Sequence, residues 1–341
     1  MPQPTNRPTK SQTTAQPPPA TWRGRLLLIV LLIVTAVVFL HRQAISDWIE
    51  LYDYTPPSAI SALAADTTMT ASAKHLFYLN HPKIAEASSF GTYCKEQEQA
   101  IVLGCYHAGE HGIFLLSIAS KSELHGVMQV TAAHEMLHAA YERLSAGEKA
   151  SLDTQLESFY SHGLHDANIK AEIDAYRKTE PGELDNEMHS IFATEVKDLP
   201  SSLEAYYRRY FSNRQAIVAQ AEHYQEAFRS RETAVKQYDA QLAVLKAKIT
   251  AGQQSLVQQA ATLRAQRAQL NQERASDNVN GYNAAVRTYN QRVETYNTDL
   301  ASLKAQINQY NAIVVKRNAS VLEEQQLAKE LSGQSLPSAQ P

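Results

Sequence analysis

A His-Glu-x-x-His segment at residues 134–138 has the residue types and the spacing of a zinc site that also moves protons. Two residues four apart on a helix differ in direction by about 40° and are displaced by about 6 Å, so His134 and His138 can ligate one zinc ion. Glu135 then lies beside the metal without ligating it. There it can accept a proton from zinc-bound water and later deliver one to a leaving amine. The segment therefore predicts zinc-dependent peptide hydrolysis with Glu135 as general base.

Strands are expected before this segment, because several runs are rich in β-branched, leucine or aromatic residues. The predicted strands cover 75–79, 100–106 and 112–118. The last two are separated by residues 107–111, which predict a hairpin loop. A helix is predicted earlier, at about 59–65.

From residue 120 onward the apolar period becomes helical, and 120–212 predicts four or five helices. Three of these helices begin with a predicted capping box, in which a serine precedes a glutamate by three residues. The boxes are Ser120 with Glu123, Ser145 with Glu148, and Ser201 with Glu204. The His-Glu-x-x-His segment thus lies on a helix that follows strands.

This arrangement resembles the zincin metallopeptidases, in which a small mixed sheet precedes the His-Glu-x-x-His helix and an edge strand holds an extended substrate. The extended metzincin form is absent, since Tyr141 stands at the position of its glycine and Leu144 at the position of its third histidine. The resemblance therefore implies the gluzincin type, whose third zinc ligand is a glutamate on a later helix.

The segment 184–190 contains Asn186-Glu187-x-x-Ser190, which is similar to the sequence around the third ligand in thermolysin-like gluzincins. That resemblance implies that Glu187 completes the zinc site. The two intervening helices, at about 147–160 and 165–178, look like an insertion between the metal-binding helices.

Four other residues are alternatives for roles at the site. Glu195 lies about 80° from Glu187 around the same helix, so it is a rival ligand or a partner that orients a ligating histidine. His189 could ligate the metal or stabilise an oxyanion. Tyr206 and Tyr207 could each offer a phenol to a tetrahedral intermediate, although tyrosines on amphipathic helices usually pack in a core.

The N-terminal region predicts a membrane anchor. Residues 1–25 are basic and proline-rich and predict a disordered tail, and 26–45 contains an apolar run of helix-forming length. The basic excess before the run places the N-terminus in the cytoplasm and the bulk of the chain outside, in a single-pass protein of the cell membrane. A cleaved signal peptide is the alternative. Residues 46–57 are a predicted linker.

Cys94 and Cys105 are the only cysteines of the chain. Both fall on the predicted extracytoplasmic side, where thiols tend to be oxidised. A disulfide between them is therefore expected, with a pair of thiols or a metal pair as the alternative.

The segment 213–331 repeats apolar residues every seven positions and predicts a long coiled coil. An Asn-Gly turn within 278–281 divides the repeat into two runs, which predicts an antiparallel helical hairpin. Pairing the two runs about that turn sets Gly252 against Ile307. Residues 332–341 predict a disordered tail.

The fold class is therefore α+β: a transmembrane helix, a zincin-like domain at 58–212 and a coiled-coil hairpin. The net charge of −3 provides no basic excess for nucleic acid. The predicted function is that of a membrane-anchored zinc metallopeptidase acting on peptides or proteins. The alternative is a non-catalytic envelope scaffold or cell-wall-hydrolase adaptor with an inactive or structural zinc site, in which the coiled coil recruits an envelope partner or self-associates.

Overall fold

A computed structural model describes residues 22–94, 102–108, 112–118, 122–276 and 278–333. The chain divides into two compact units, 1–55 and 56–341. Several predicted features lie wholly or partly outside the described residues: most of both tails, the first two residues of the strand at 100–106, the tip of the hairpin loop at 109–111, and Ser120 of the first capping box.

The first unit contains helices α1 (Trp22–Leu40) and α2 (Arg42–Leu51). Within the described residues, no single helix combines the length and the apolar character that a membrane crossing requires. The pair Leu26–Leu40 and Arg42–Leu51, bent by 63°, meets that requirement only when the two are taken together.

In the second unit, the sheet has three described strands in the order β1-β3-β2. Strand β3 (Gly112–Leu116) is central and fully buried; β1 (Lys83–Ala85) pairs with it in parallel and β2 (Gly104–His107) antiparallel. The predicted strands at 100–106 and 112–118 therefore correspond to β2 and β3. The result is a small mixed sheet in a mostly helical chain.

The strand predicted at 75–79 is wrong, because these residues belong to helix α4 (Ala71–Leu79). The side chain of Thr70 caps the helix by accepting a hydrogen bond from the amide of Ala73. Ala73 and Phe77, one turn apart, are both fully buried. The apolar residues thus follow the period of a helix face, and the short strand lies a few residues later.

Helix α3 (Ser58–Asp66) confirms the helix expected at 59–65, and α5 (Ala87–Phe90) follows β1. After a 3-10 turn at Ser122–Leu124, five helices follow in 122–212, as predicted. They are α6 (Val127–Glu142), α7 (Ala146–His162), α8 (Ala167–Thr179), α9 (Leu184–Glu195) and α10 (Ser201–Tyr207). Helices α7 and α8 are the two that the sequence places between the metal-binding helices.

The two capping boxes within the described residues differ. Ser145 and Glu148 form the predicted reciprocal box at the start of α7. The box predicted at Ser201 is wrong, because α10 begins one residue earlier than the box requires: Pro200 is the N-cap and Ser201 is the first residue of the helix. The carboxylate of Glu204 instead binds the guanidinium of Arg214, so it is not available to the helix start.

Helices α11 (Arg214–Ala275) and α12 (Val279–Leu331) form the predicted long hairpin. Cross-helix contacts show that the two helices run antiparallel, since Gln259 binds Asp299 while Asp239 binds Arg317. Helix α11 ends at Ala275 and α12 begins at Val279, slightly before the Asn-Gly pair. The side chain of Asn278 accepts a hydrogen bond from the amide of Gly281 and so begins α12 early.

At Gly252 the structure shows which large residue fills the space beside it. An added Cβ atom would lie 3.3 Å from Leu303, one turn before Ile307, and within 4 Å of no other described side chain apart from its chain neighbours. The small residue still faces a large one, as the heptad pattern requires.

The root of the hairpin belongs to the core of the domain. Ile217, Val218 and Ala221 on α11 are at most 1% exposed. The last turns of α12 return to this root, where Leu327 and Leu331 pack in a cluster with Leu124 and Val127. The boundary predicted at residue 212 therefore falls inside one compact unit.

Candidate metal centre

Helix α6 presents both histidines of the motif to one point. The Nε2 atom of His134 lies 3.5 Å from Oε2 of Glu187, and Nε2 of His138 lies 3.7 Å from Oε1 of the same carboxylate. The donor atoms of the three side chains all lie within 4.8 Å of one another. These three residues could therefore hold a metal ion.

Helix α9 supplies the carboxylate because it packs directly against α6 through a fully buried apolar face. Met188, Ile191 and Phe192 on that helix are each 0% exposed. This packing holds Glu187 over the two imidazoles. Burial raises the pKa of Glu187, but the interactions with His134 and His138 outweigh it, so the pKa lies below its usual value.

The residues that flank Glu187 in its motif orient His138. The Nδ1 atom of His138 lies 2.9 Å from Oδ1 of Asn186, and the hydroxyl of Ser190 is 3.5 Å from the same nitrogen. An amide oxygen can only accept, so Nδ1 donates and Nε2 keeps its lone pair. The Asn-Glu-x-x-Ser pattern therefore places Glu187 against the two histidines and two residues behind His138.

Glu135 is buried beside these residues and covered by strand β2. At Gly104 of this strand, an added Cβ would lie 2.9 Å from Oε1 of Glu135 and 2.6 Å from a methyl of Thr131. Burial raises the pKa of Glu135 to about 7, which His138 opposes and Glu187 reinforces. A carboxylate in this position is suited to accept and return a proton.

The rival Glu195 lies on the wall of the same cavity, outside the group of three donors. Its Oε2 atom accepts a hydrogen bond of 2.6 Å from the side-chain amide of Gln225 on α11. The structure therefore brings Glu187, rather than Glu195, to the two histidines.

His189 points away from the cavity. It is 0% exposed and its ring contacts Tyr141, Tyr206 and Tyr207, with centroids 5.5 to 5.6 Å apart. Burial, reinforced by His138 and His134, lowers the pKa of His189 to about 3, so the imidazole is neutral. The hydroxyl of Tyr207 donates to the backbone carbonyl of His189. His189, Tyr206 and Tyr207 thus form part of the core, as packing residues do.

The cavity over the three donors has a volume of about 460 Å³ and lies between α6, β2, α8 and α9. Two of its lining residues, Glu172 and Tyr176, come from α8 and carry no recognisable motif. Neither residue is therefore identifiable from a sequence motif. The only available indication was the position of α8 between the two metal-binding helices.

Cys94 and Cys105 form the expected disulfide. Cys105 lies on β2 and lines the cavity, so the bond ties the wall strand to the segment after α5. The Nε2 atom of His107, on the same strand, lies 2.8 Å from the carbonyl of Tyr93 and adds a second tie.

Comparisons with protein-family models, with curated proteins and with solved structures found no match to this chain.

Proposed function

We propose that this protein is a membrane-anchored, extracytoplasmic zinc metallopeptidase of gluzincin type. In this proposal His134, His138 and Glu187 hold the zinc ion and Glu135 is the general base. The observation that carries it is the convergence of both imidazole Nε2 atoms on one buried carboxylate, with a second buried carboxylate beside them.

The three donors fit a zinc ion. Two nitrogens and one carboxylate oxygen form the donor set of open, catalytic zinc sites. Tetrahedral ligands at about 2.0 to 2.1 Å from zinc lie about 3.4 Å from one another, and each imidazole Nε2 here lies 3.5 or 3.7 Å from one of the two oxygens of Glu187. The buried Oε2 atom of Glu187 has no hydrogen-bond partner among the described residues, and a cation would satisfy it.

The chain's own residues provide the remaining parts of the reaction. When bound, zinc acidifies water and polarises the scissile carbonyl. Glu135 takes the proton that the attacking water loses and gives it to the departing amine. Strand β2 lies at the edge of the described sheet and lines the cavity, so an extended peptide can add beside it through backbone hydrogen bonds.

The proposed location rests on the N-terminal sequence and the disulfide. The basic tail before the apolar run favours a cytoplasmic N-terminus, with 26–45 as a signal anchor. A disulfide is stable in the oxidising environment outside the cytoplasm, where the proposal puts the second unit.

The test uses full-length protein in detergent, with zinc content and cleavage of a quenched fluorescent peptide library measured on the same samples. Glu135→Gln should keep the zinc and lose about 10²- to 10⁴-fold in rate, which is the usual contribution of a general base. Glu187→Gln should lose zinc. The control Glu232→Gln changes an exposed residue of the hairpin that pairs with Lys236, and it should match the unchanged protein.

Cleavage that is unchanged in Glu135→Gln would contradict the peptidase proposal. A protein that binds zinc yet cleaves nothing would favour the alternative, a non-catalytic scaffold or adaptor that works through the hairpin.

A further inference from the structure

The cavity over the metal centre is lined by acidic residues without a compensating cation. Seven glutamates line it, and no lysine or arginine is found among its described lining residues. A divalent metal ion would offset two of these charges, and Glu187 would be one of its ligands. The cavity therefore keeps an excess of negative charge around the place where a substrate must bind.

The cavity runs along α6, since its lining includes residues of that helix from Val130 to Glu142. Toward one end lie Glu172 and Glu195, whose charges act on each other. At the other end, Glu142 lies one turn beyond His138 and its charge acts on Tyr106 of strand β2. A peptide lying along β2 would thus meet carboxylates on both sides of the scissile bond.

The end formed by Glu172 and Glu195 is the more enclosed one. Glu195 has a single hydrogen bond, from Gln225, and Glu172 has no hydrogen bond or ion pair with another described residue. Burial, followed by the charge of Glu172, raises the pKa of Glu195. Both side chains are half-buried, and two neighbouring carboxylates that are partly withdrawn from water without a cation are costly, so a bound ammonium or guanidinium group would lower that cost.

We propose that the substrate is a peptide or protein segment with a lysine or arginine side chain, which enters the end of the cavity between Glu172 and Glu195. This inference rests on the proposed function, since it names the substrate class of that site. The enclosed carboxylate pair binds the positive side chain, and the remaining glutamates attract basic segments and repel acidic ones. Tyr176, which lines the same cavity, offers an aromatic surface near the cation.

The test measures binding, so that it does not depend on turnover. Full-length Glu135→Gln protein in detergent is titrated with fluorescent peptides that are identical except for one residue: lysine, arginine, norleucine or glutamate, placed at each position in turn. At one position, lysine or arginine should bind at least about tenfold more tightly than norleucine at low salt, and glutamate more weakly still. Raising the ionic strength should reduce this advantage.

Adding Glu172→Gln and Glu195→Gln, singly and together, should reduce the advantage of lysine to about threefold or less. These changes keep the size of each side chain, and circular dichroism checks the fold. Adding Glu232→Gln on the hairpin provides the matched control, because it removes one exposed carboxylate that is not among the described lining residues of the cavity. It should leave the advantage intact.

The results separate this inference from the proposed function. If cleavage depends on Glu135 but lysine and norleucine peptides bind equally, the inference is wrong and the peptidase stands. If lysine peptides bind selectively and nothing is cleaved, the peptidase is wrong and the cation site stands. If the double substitution removes a second equivalent of bound metal and leaves peptide selectivity unchanged, the two glutamates serve a metal and the inference is overturned.

Discussion

The part of the second unit around the candidate metal centre and the distal hairpin are both mostly helical, but they are stabilised differently. Around the metal centre, side chains such as Leu156 and Ile173 are 0% exposed because several helices surround them. In the hairpin beyond its root, even the best-buried residues, among them Leu245 and Leu303, remain 8% exposed because each helix has only one partner. A two-helix rod buries one stripe of each helix, whereas the domain buries whole side chains.

Because of this difference, we expect substitutions and deletions to reduce the free energy of unfolding most where the two regions meet. The reduction should be smaller in the hairpin and smallest at isolated surface positions. The root of the hairpin has the burial of the domain, although its sequence continues the heptad pattern of the rod. Substitutions and deletions on either side of this root therefore test where the folding unit ends.

The largest effect is expected from ending the chain at Ser212. This truncation removes Ile217, Val218 and Ala221 from the core and leaves Glu204 without Arg214. Burial of a large aliphatic side chain contributes about 1.5 to 3 kcal/mol, and whole domains are stable by only about 5 to 15 kcal/mol. The truncated protein should show no cooperative thermal unfolding by circular dichroism.

The matched control keeps the root and removes only the distal rod. Asp239 and Arg317 lie 3.0 Å apart across the hairpin, so residues 240–316 can be replaced there by a turn of about four residues. This shortened protein should unfold cooperatively and keep its zinc content. If both variants fold equally well, the root is dispensable and the comparison between the two regions fails.

A pair of leucine substitutions sharpens the comparison within full-length protein. Leu156→Ala in α7 should reduce the free energy of unfolding by about 3 to 5 kcal/mol, since the substitution leaves an empty space in a densely packed core. Leu256→Ala in the hairpin should cost about 1 to 2 kcal/mol, because its surroundings can collapse and solvent already reaches the side chain. Chemical denaturation monitored at both regions measures the two values, and equal costs would contradict the proposed difference in packing.

A glycine substitution tests the close contact between β2 and the metal helix. Gly104→Ala places a methyl 2.6 Å from Thr131 and 2.9 Å from Glu135, so strand and helix must separate. Overpacking of this kind costs about 1 to 3 kcal/mol and should displace the general base, with a fall in peptide cleavage of tenfold or more.

Gly147→Ala is the control for that substitution. No atom would lie within 4 Å of its added Cβ, and the residue is in the first turn of α7. Alanine should be neutral or slightly stabilising there, with cleavage unchanged. Loss of cleavage in both variants would mean that the contact at Gly104 is not the cause.

Much of this architecture is predictable because it depends on local patterns. Residues four apart on a helix must share a face, so His134 and His138 converge whatever surrounds them. The heptad repeat and the Asn-Gly pair likewise predict a hairpin, and the turn comes slightly earlier because the side chain of Asn278 starts α12 before that pair.

The rest depends on tertiary contacts that no local pattern encodes. The helix at Ala71–Leu79 has an apolar sequence that also suits a strand, and only packing on both Ala73 and Phe77 selects the helix. Glu172 and Tyr176 become cavity residues because α8 folds over the metal centre. The selection of Glu187 over Glu195 also depends on how α9 lies against α6, since both glutamates lie on one helix.

The smallest effect on stability is expected at the domain surface, where two serines share the Ser-x-x-Glu spacing but differ in structure. Ser145 caps α7 and exchanges hydrogen bonds with Glu148, so Ser145→Ala should reduce the free energy of unfolding by about 1 kcal/mol. Ser201 lies inside the first turn of α10 behind Pro200 and caps nothing, so Ser201→Ala should change it by less than about 0.5 kcal/mol. Urea denaturation of the two variants side by side measures the difference. Equal losses would mean that Ser201 caps its helix after all and that the Glu204–Arg214 pair does not replace the box.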